Sequence, residues 1–101
     1  MAAKNYTLNS YTNDTWTTLV DEAAIIASIV IANTDGSATI TFEVRLDDGA
    51  STEVARILPP STIDANVSQT LDLRSVVVGS GQRLQVKANA ASLHFTASGD
   101  A

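Results

Sequence analysis

From Ala38 to Leu46 the chain alternates strictly, with Ala38, Ile40, Phe42, Val44 and Leu46 on one side and Thr39, Thr41, Glu43 and Arg45 on the other. A period of two with one apolar face predicts a half-buried antiparallel strand. The same rhythm recurs three times. Leu71 and Leu73 alternate with Thr70, Asp72 and Arg74; Leu84, Val86 and Ala88 with Arg83, Gln85 and Lys87; and Leu93, Phe95 and Ala97 with Ser92, His94 and Thr96. Val76 to Val78 either continues the first of these strands or crosses to another sheet.

The run Ala23 to Asn33 is different, because it is apolar on both faces. Its alanines and the preceding Asp21-Glu22 suit a helix, but Ile25, Ile26, Ile29, Val30 and Ile31 are β-branched and favour a pleated surface. Asp35-Gly36 follows, and Asp-Gly between apolar runs is a strong signal for a type I′ turn. The expectation is therefore a hairpin of 23–33 with 38–46. A strand apolar on both sides should also be covered twice, by a second layer or by a neighbouring subunit.

Punctuation completes the pattern. Turns are expected at Asp47-Asp48-Gly49, Gly79-Ser80-Gly81 and Asn89-Ala90-Ala91, and Thr52 to Leu58 reads as a strand that Pro59-Pro60 should stop for want of amide donors. Residues 61–68 then form a polar connection, and Ser98 to Ala101 a polar tail. Seven or eight short strands at such spacings predict an all-β, antiparallel β-sandwich, jelly-roll or immunoglobulin-like, with a closed barrel as the alternative. Residues 1–18 are rich in Thr and Asn and read as an extended N-terminal arm with room for one short strand. The sandwich domain is then 19–101.

Composition narrows the classes. At 101 residues there is room for one domain, and 45% apolar against 17% charged residues is too hydrophobic for a disordered chain. The net charge is −5, with six basic residues scattered along the sequence, so neither nucleic acid nor an anionic membrane is an expected partner. No cysteine is present, which removes disulfides and thiolate chemistry. The opening Met1-Ala-Ala-Lys leads into polar residues, so no secretory signal is expected, and the longest apolar run falls far short of the roughly 20 residues that span a bilayer.

Few residues are suited to chemistry. His94 is the single histidine and falls on the outward side of its strand, with no second histidine for a metal and no Gly-x-Ser-x-Gly nucleophile to activate. Asp35, Asp47, Asp48 and Asp100 each lie near a glycine, as turn residues do, and Asp47-Asp48 matches no calcium loop. Glu43 and Glu53 are expected to pair with Arg45 or Arg56. Gly79-Ser80-Gly81-Gln82 lacks the Lys-Ser/Thr of a phosphate loop. No catalytic, cofactor or metal site is expected, and the protein is read as no enzyme. Tyr6, Tyr11 and Trp16 are the candidate interface residues, with Trp16 either sealing the core or an edge, or anchoring a neighbour.

The segments IIASIVIANTDGSATITFEV, ILPP, LDLRSVVVGSGQRLQVKANA and SLHFTASG, together covering about 19–99, resemble in order and texture the small β-sandwich virion proteins of tailed bacteriophages and gene-transfer particles. The resemblance implies a capsid decoration, spike-base, tail or neck component without an active site. Its partners would be copies of itself and phage capsid or tail proteins, and it would be made in the host cytoplasm and end in the virion. The arm would dock it, and neighbours would cover the open sheet edges. Glycine-rich or heptad shaft segments, typical of receptor-binding fibres, are missing. The alternative is a carbohydrate- or receptor-binding module in which Tyr6, Tyr11 and Trp16 stack on a host-surface glycan.

Overall fold

A computed structural model describes residues 2–101. Eight strands follow one another: β1 (Ala3–Leu8), β2 (Thr17–Val20), β3 (Ala24–Asn33), β4 (Ile40–Asp47), β5 (Glu53–Ile63), β6 (Ser68–Val78), β7 (Arg83–Ala88) and β8 (Leu93–Asp100). They form two four-stranded sheets, β1-β8-β3-β6 and β2-β7-β4-β5, antiparallel throughout. The expected β-sandwich is present. Strand 1 pairs with 8, 2 with 7, 3 with 6 and 4 with 5, so the chain is one long hairpin rolled up on itself, the jelly-roll order. That order decides against the immunoglobulin-like and barrel alternatives.

The rolled order overturns the expected hairpin at Asp35-Gly36. Strands β3 and β4 lie in different sheets, and Gly36 does not take the positive φ of a type I′ turn. Instead the Asp35 carboxylate accepts the amides of Ser37 (2.8 Å) and Ala38 (3.0 Å), and the segment arches over the core from one layer to the other. Asp-Gly marks a change of direction, and burial of Ile29 in one sheet and Ile40 in the other within the same core sets β4 in the opposite layer. The tip of the roll is β4–β5, where Asp48 Oδ1 accepts Ala50 N (2.7 Å) and Thr52 N (3.1 Å), and Gly49 sits at φ 87°.

The doubly apolar look of β3 has a local cause. Ala24 and Ile26 point inward, the register slips between Ile26 and Ser28, and Ile29, Ile31 and Asn33 then point inward on the other parity. A bulge exchanges the faces halfway along. Opposite it sits Gly99, whose absent side chain is required: a Cβ there would lie 2.0 Å from the Ile25 carbonyl oxygen. The supposed polar tail is therefore the end of β8.

Pro59 and Pro60 do not stop β5, which runs on to Ile63 through residues expected to be a connection. β5 is an edge strand, and Ser61 pairs with Phe42 while Leu58 pairs with Val44, so the two prolines bulge outward where no ladder bond is owed. Val76 to Val78 stays in β6. The N-terminal segment is also woven in: β1 forms an edge beside β8, Tyr6 and Leu8 pack on the core, and the 18/19 boundary falls inside β2. Between the layers Phe95, Ile29, Ile31, Ile40, Leu84 and Leu93 are fully enclosed, with Phe42 edge-on to Phe95 at 6.4 Å.

Candidate assembly surfaces

Alternation sends every second residue of β4, β5 and β7 to the outside of the second sheet, and there the charges gather. Glu43 faces Lys87 (3.3 Å), Asp47 faces Arg83 (2.7 Å), and Arg56 bridges Glu43 (2.5 Å) and Glu53 (2.8 Å). Four of the six Lys and Arg residues, scattered in sequence, lie on this one face. Trp16, just ahead of β2, roofs it: Arg45, Lys87 and Arg56 stand 4.4, 5.0 and 5.1 Å from its ring centre. Of the two arginines expected to pair with Glu43 and Glu53, Arg56 takes both, and Arg45 is engaged elsewhere. It lies beneath the indole, donates to Gln85 Oε1 (2.9 Å) and stands 3.4 Å from Asp47 Oδ1.

Asp47 is fully enclosed. Burial pushes its carboxyl up, but the Arg83 hydrogen bonds, the Gly49 amide and the Arg45 charge outweigh that and hold it below the usual carboxylate range. Asp47 Oδ2 is held by Arg83 and Gly49, Oδ1 is buried with only the Arg45 charge beside it, and Asp48 is turned to its own backbone amides. Among the described residues no three His or acidic side chains could hold a metal ion, and no helix is long and apolar enough to cross a membrane.

The three expected interface aromatics do not share a platform. Tyr11 turns inward against Phe95 (6.0 Å between ring centres) and donates to the carbonyls of Leu93 (2.5 Å) and Ala90 (3.0 Å). Burial pushes its hydroxyl up to about 12. Tyr6, at the β1 edge, donates to Glu22 Oε2 (2.6 Å), which also receives Lys4 (2.5 Å); desolvation first, then Glu22, raises Tyr6 to about 12. Trp16 lies on the outside of the other sheet. His94 is half-buried on the outward side of β8, as alternation predicts.

The outside of the first sheet has the opposite character. Its central rungs set Val30 between Thr70 and Thr96, Ser28 between Asp72 and Ser98, and Ala32 between Ser68 and His94, with Ile25 beside Val77 further along. Asp72 and, at the end, Asp100 are the charges at these positions. Val30 is 40% exposed and Val77 59%. A hollow of about 350 Å³ lined by Ala23, Ile25, Val77 and Ala101 continues the apolar ground at that end. Sequence reading missed this contrast, because register alone brings the uncharged residues of four strands together. A second cleft, about 440 Å³, opens between edges β5 and β6, with Ile31 and Phe42 at its floor and Gln69 and Thr70 on its rim.

No family model matches this chain, and no curated protein does. Among solved structures it is similar to a pentameric capsid protein from metagenomic phage sequences, with 14% identity, a TM-score of 0.41, and 97% of this chain covering 61% of that one. The T13 IBDV viral particle matches at 8% identity and TM-score 0.47, over 97% of this chain and 31% of that one. The tobacco streak virus coat protein matches at 11% and 0.33, over 97% and 86%. The chain thus spans about three-fifths of the phage capsid protein. Scores this low carry no argument about function, which rests on the surfaces described above.

Proposed function

We propose that this chain is a non-enzymatic structural subunit of a phage-like particle, assembling as a symmetric homo-oligomer and docking on capsid or tail proteins. The observation that supports it is the chemical division of the two outer faces. One carries seven charged side chains under Trp16, whereas the other presents Val30, Val77 and small polar residues with almost no charge. Depletion of charge is one trait of an interface centre, and in a chain of net charge −5 this face is where copies approach with least repulsion. Jelly-roll order agrees with a capsid role but is shared by lectin and cupin domains, so it does not carry the reading. Within this reading residues 2–18 act as an edge strand and a roofing loop rather than as a free arm.

Val30→Asp tests it. The substitution places a carboxylate at the centre of the uncharged face without touching the core. Light scattering should show the wild-type chain above monomer mass and the variant at monomer mass with an unchanged circular dichroism spectrum. In particles, the variant should be lost from the sedimenting fraction. A wild-type monomer, or a variant incorporated equally well, sinks the proposal.

A further inference from the structure

Four strand edges are open in this sandwich, and three of them carry devices that discourage pairing. β2 is four residues long. β5 holds Pro59 and Pro60 and shifts register three times against β4. β1 carries Lys4, which with Tyr6 binds Glu22 alongside the strand. Short length, proline, irregularity and lysine are the usual guards of an edge. β6 is eleven residues long and has neither proline nor lysine. Its stretch from Ser68 to Asp72 pairs with β3 on one side in regular register, and a bulge follows at 73–75, where Arg74 adopts φ 61°.

We propose that Ser68–Asp72 is the pairing edge for a second copy of the same strand, antiparallel about a two-fold axis at Thr70. The proposal rests on the self-assembly reading above and adds to the uncharged face a second contact, along a strand edge. Charge decides the occupant. In that register Thr70 faces its own counterpart, Gln69 faces Leu71, and Val67, 40% exposed, comes level with Leu73. Arg74 lies four residues, about 13 Å, from the axis at a strand rise of about 3.3 Å, level with Asn66 in the partner's β5–β6 turn, the turn that also holds Asp64. Neither Arg74 nor Asp64 has an ion pair among the described residues. Each end of the ladder thus brings the unpaired Arg74 of one copy to the turn that carries the unpaired Asp64 of the other, a self-complementary approach of the kind a two-fold axis demands. The result is a continuous eight-stranded sheet. It also draws together the clefts beside β6 in the two copies, whose rims Gln69 and Thr70 help to form.

The absence of cysteine makes the test direct. Directly opposed residues have Cβ atoms about 5 Å apart, so Thr70→Cys chains should form a disulfide-linked dimer of about 21 kDa on mild oxidation, twice the 10.6 kDa of one chain. Val77→Cys, far from the axis, should not. Arg74→Asp should weaken the wild-type dimer at least tenfold by light scattering, and Arg74→Asp with Asp64→Arg should restore it. An oligomer that does not cross-link at position 70 and ignores the Arg74 change overturns edge pairing and leaves self-assembly standing. A strict monomer overturns both.

Discussion

Asn33 shows how one residue can fix three segments. Buried at the end of β3, it donates from Nδ2 to the carbonyls of Ala38 (2.9 Å), Ile63 (3.1 Å) and Asp64 (3.2 Å), and its Oδ1 accepts the Asp35 amide (2.9 Å). The arch to β4 and the β5–β6 turn are thus tied to one side chain. Replacement by Ala leaves these groups enclosed without partners, and each such loss costs on the order of 1–3 kcal/mol. Asn33→Ala should lower stability by about 3 kcal/mol in urea unfolding followed by Trp16 fluorescence. A loss under about 0.5 kcal/mol means that water replaces the side chain. Sequence alone marked Asn33 as the last residue of an apolar run, and nothing in its neighbours foretold a staple to segments 30 residues away.

At the scale of elements, legibility followed solvent. β4, β7 and β8 each have one wet face, so alternation located them to within a few residues. β3 was legible as a strand but not in its phase, because the bulge at Ala27 interchanges its sides. β5 extends past its prolines because an edge strand owes no ladder bond on its outer side, a position the sequence does not reveal. The arm's one short strand is legible as a possibility, but its place in the sheet is not, since Tyr6 and Leu8 are its large apolar residues and its partner, β8, lies at the other end of the chain. The candidate surfaces were less legible still, as they exist only once register aligns four strands. β1 also has a single neighbour and mostly exposed side chains, whereas β8 and β7 are flanked on both sides. Its amides should exchange with deuterium about 100-fold faster than those of β7. Equal protection across the strands contradicts this ranking.

For the whole molecule, titration sets the working range. Asp47, Glu22 and Asp35 are held below the usual carboxylate range, so the stability they contribute is present above about pH 4 and is lost as pH falls through their folded values. Tyr6 and Tyr11 are raised to about 12, so their contribution is complete below about pH 10 and disappears as pH rises toward 12. Urea midpoints should be level between about pH 5 and 9 and fall on either side. A midpoint unchanged from pH 5 to pH 2 refutes the acid arm.

The division between the two outer faces has one more consequence. A plate with a dry side and a wet side has a built-in sense of up and down. Turning one copy over in an array would set the ionic lattice around Trp16 against an uncharged neighbour and strip its ions of water. Were copies to assemble side by side as proposed, the fold itself would specify their orientation before any partner is met, and all would present the same side.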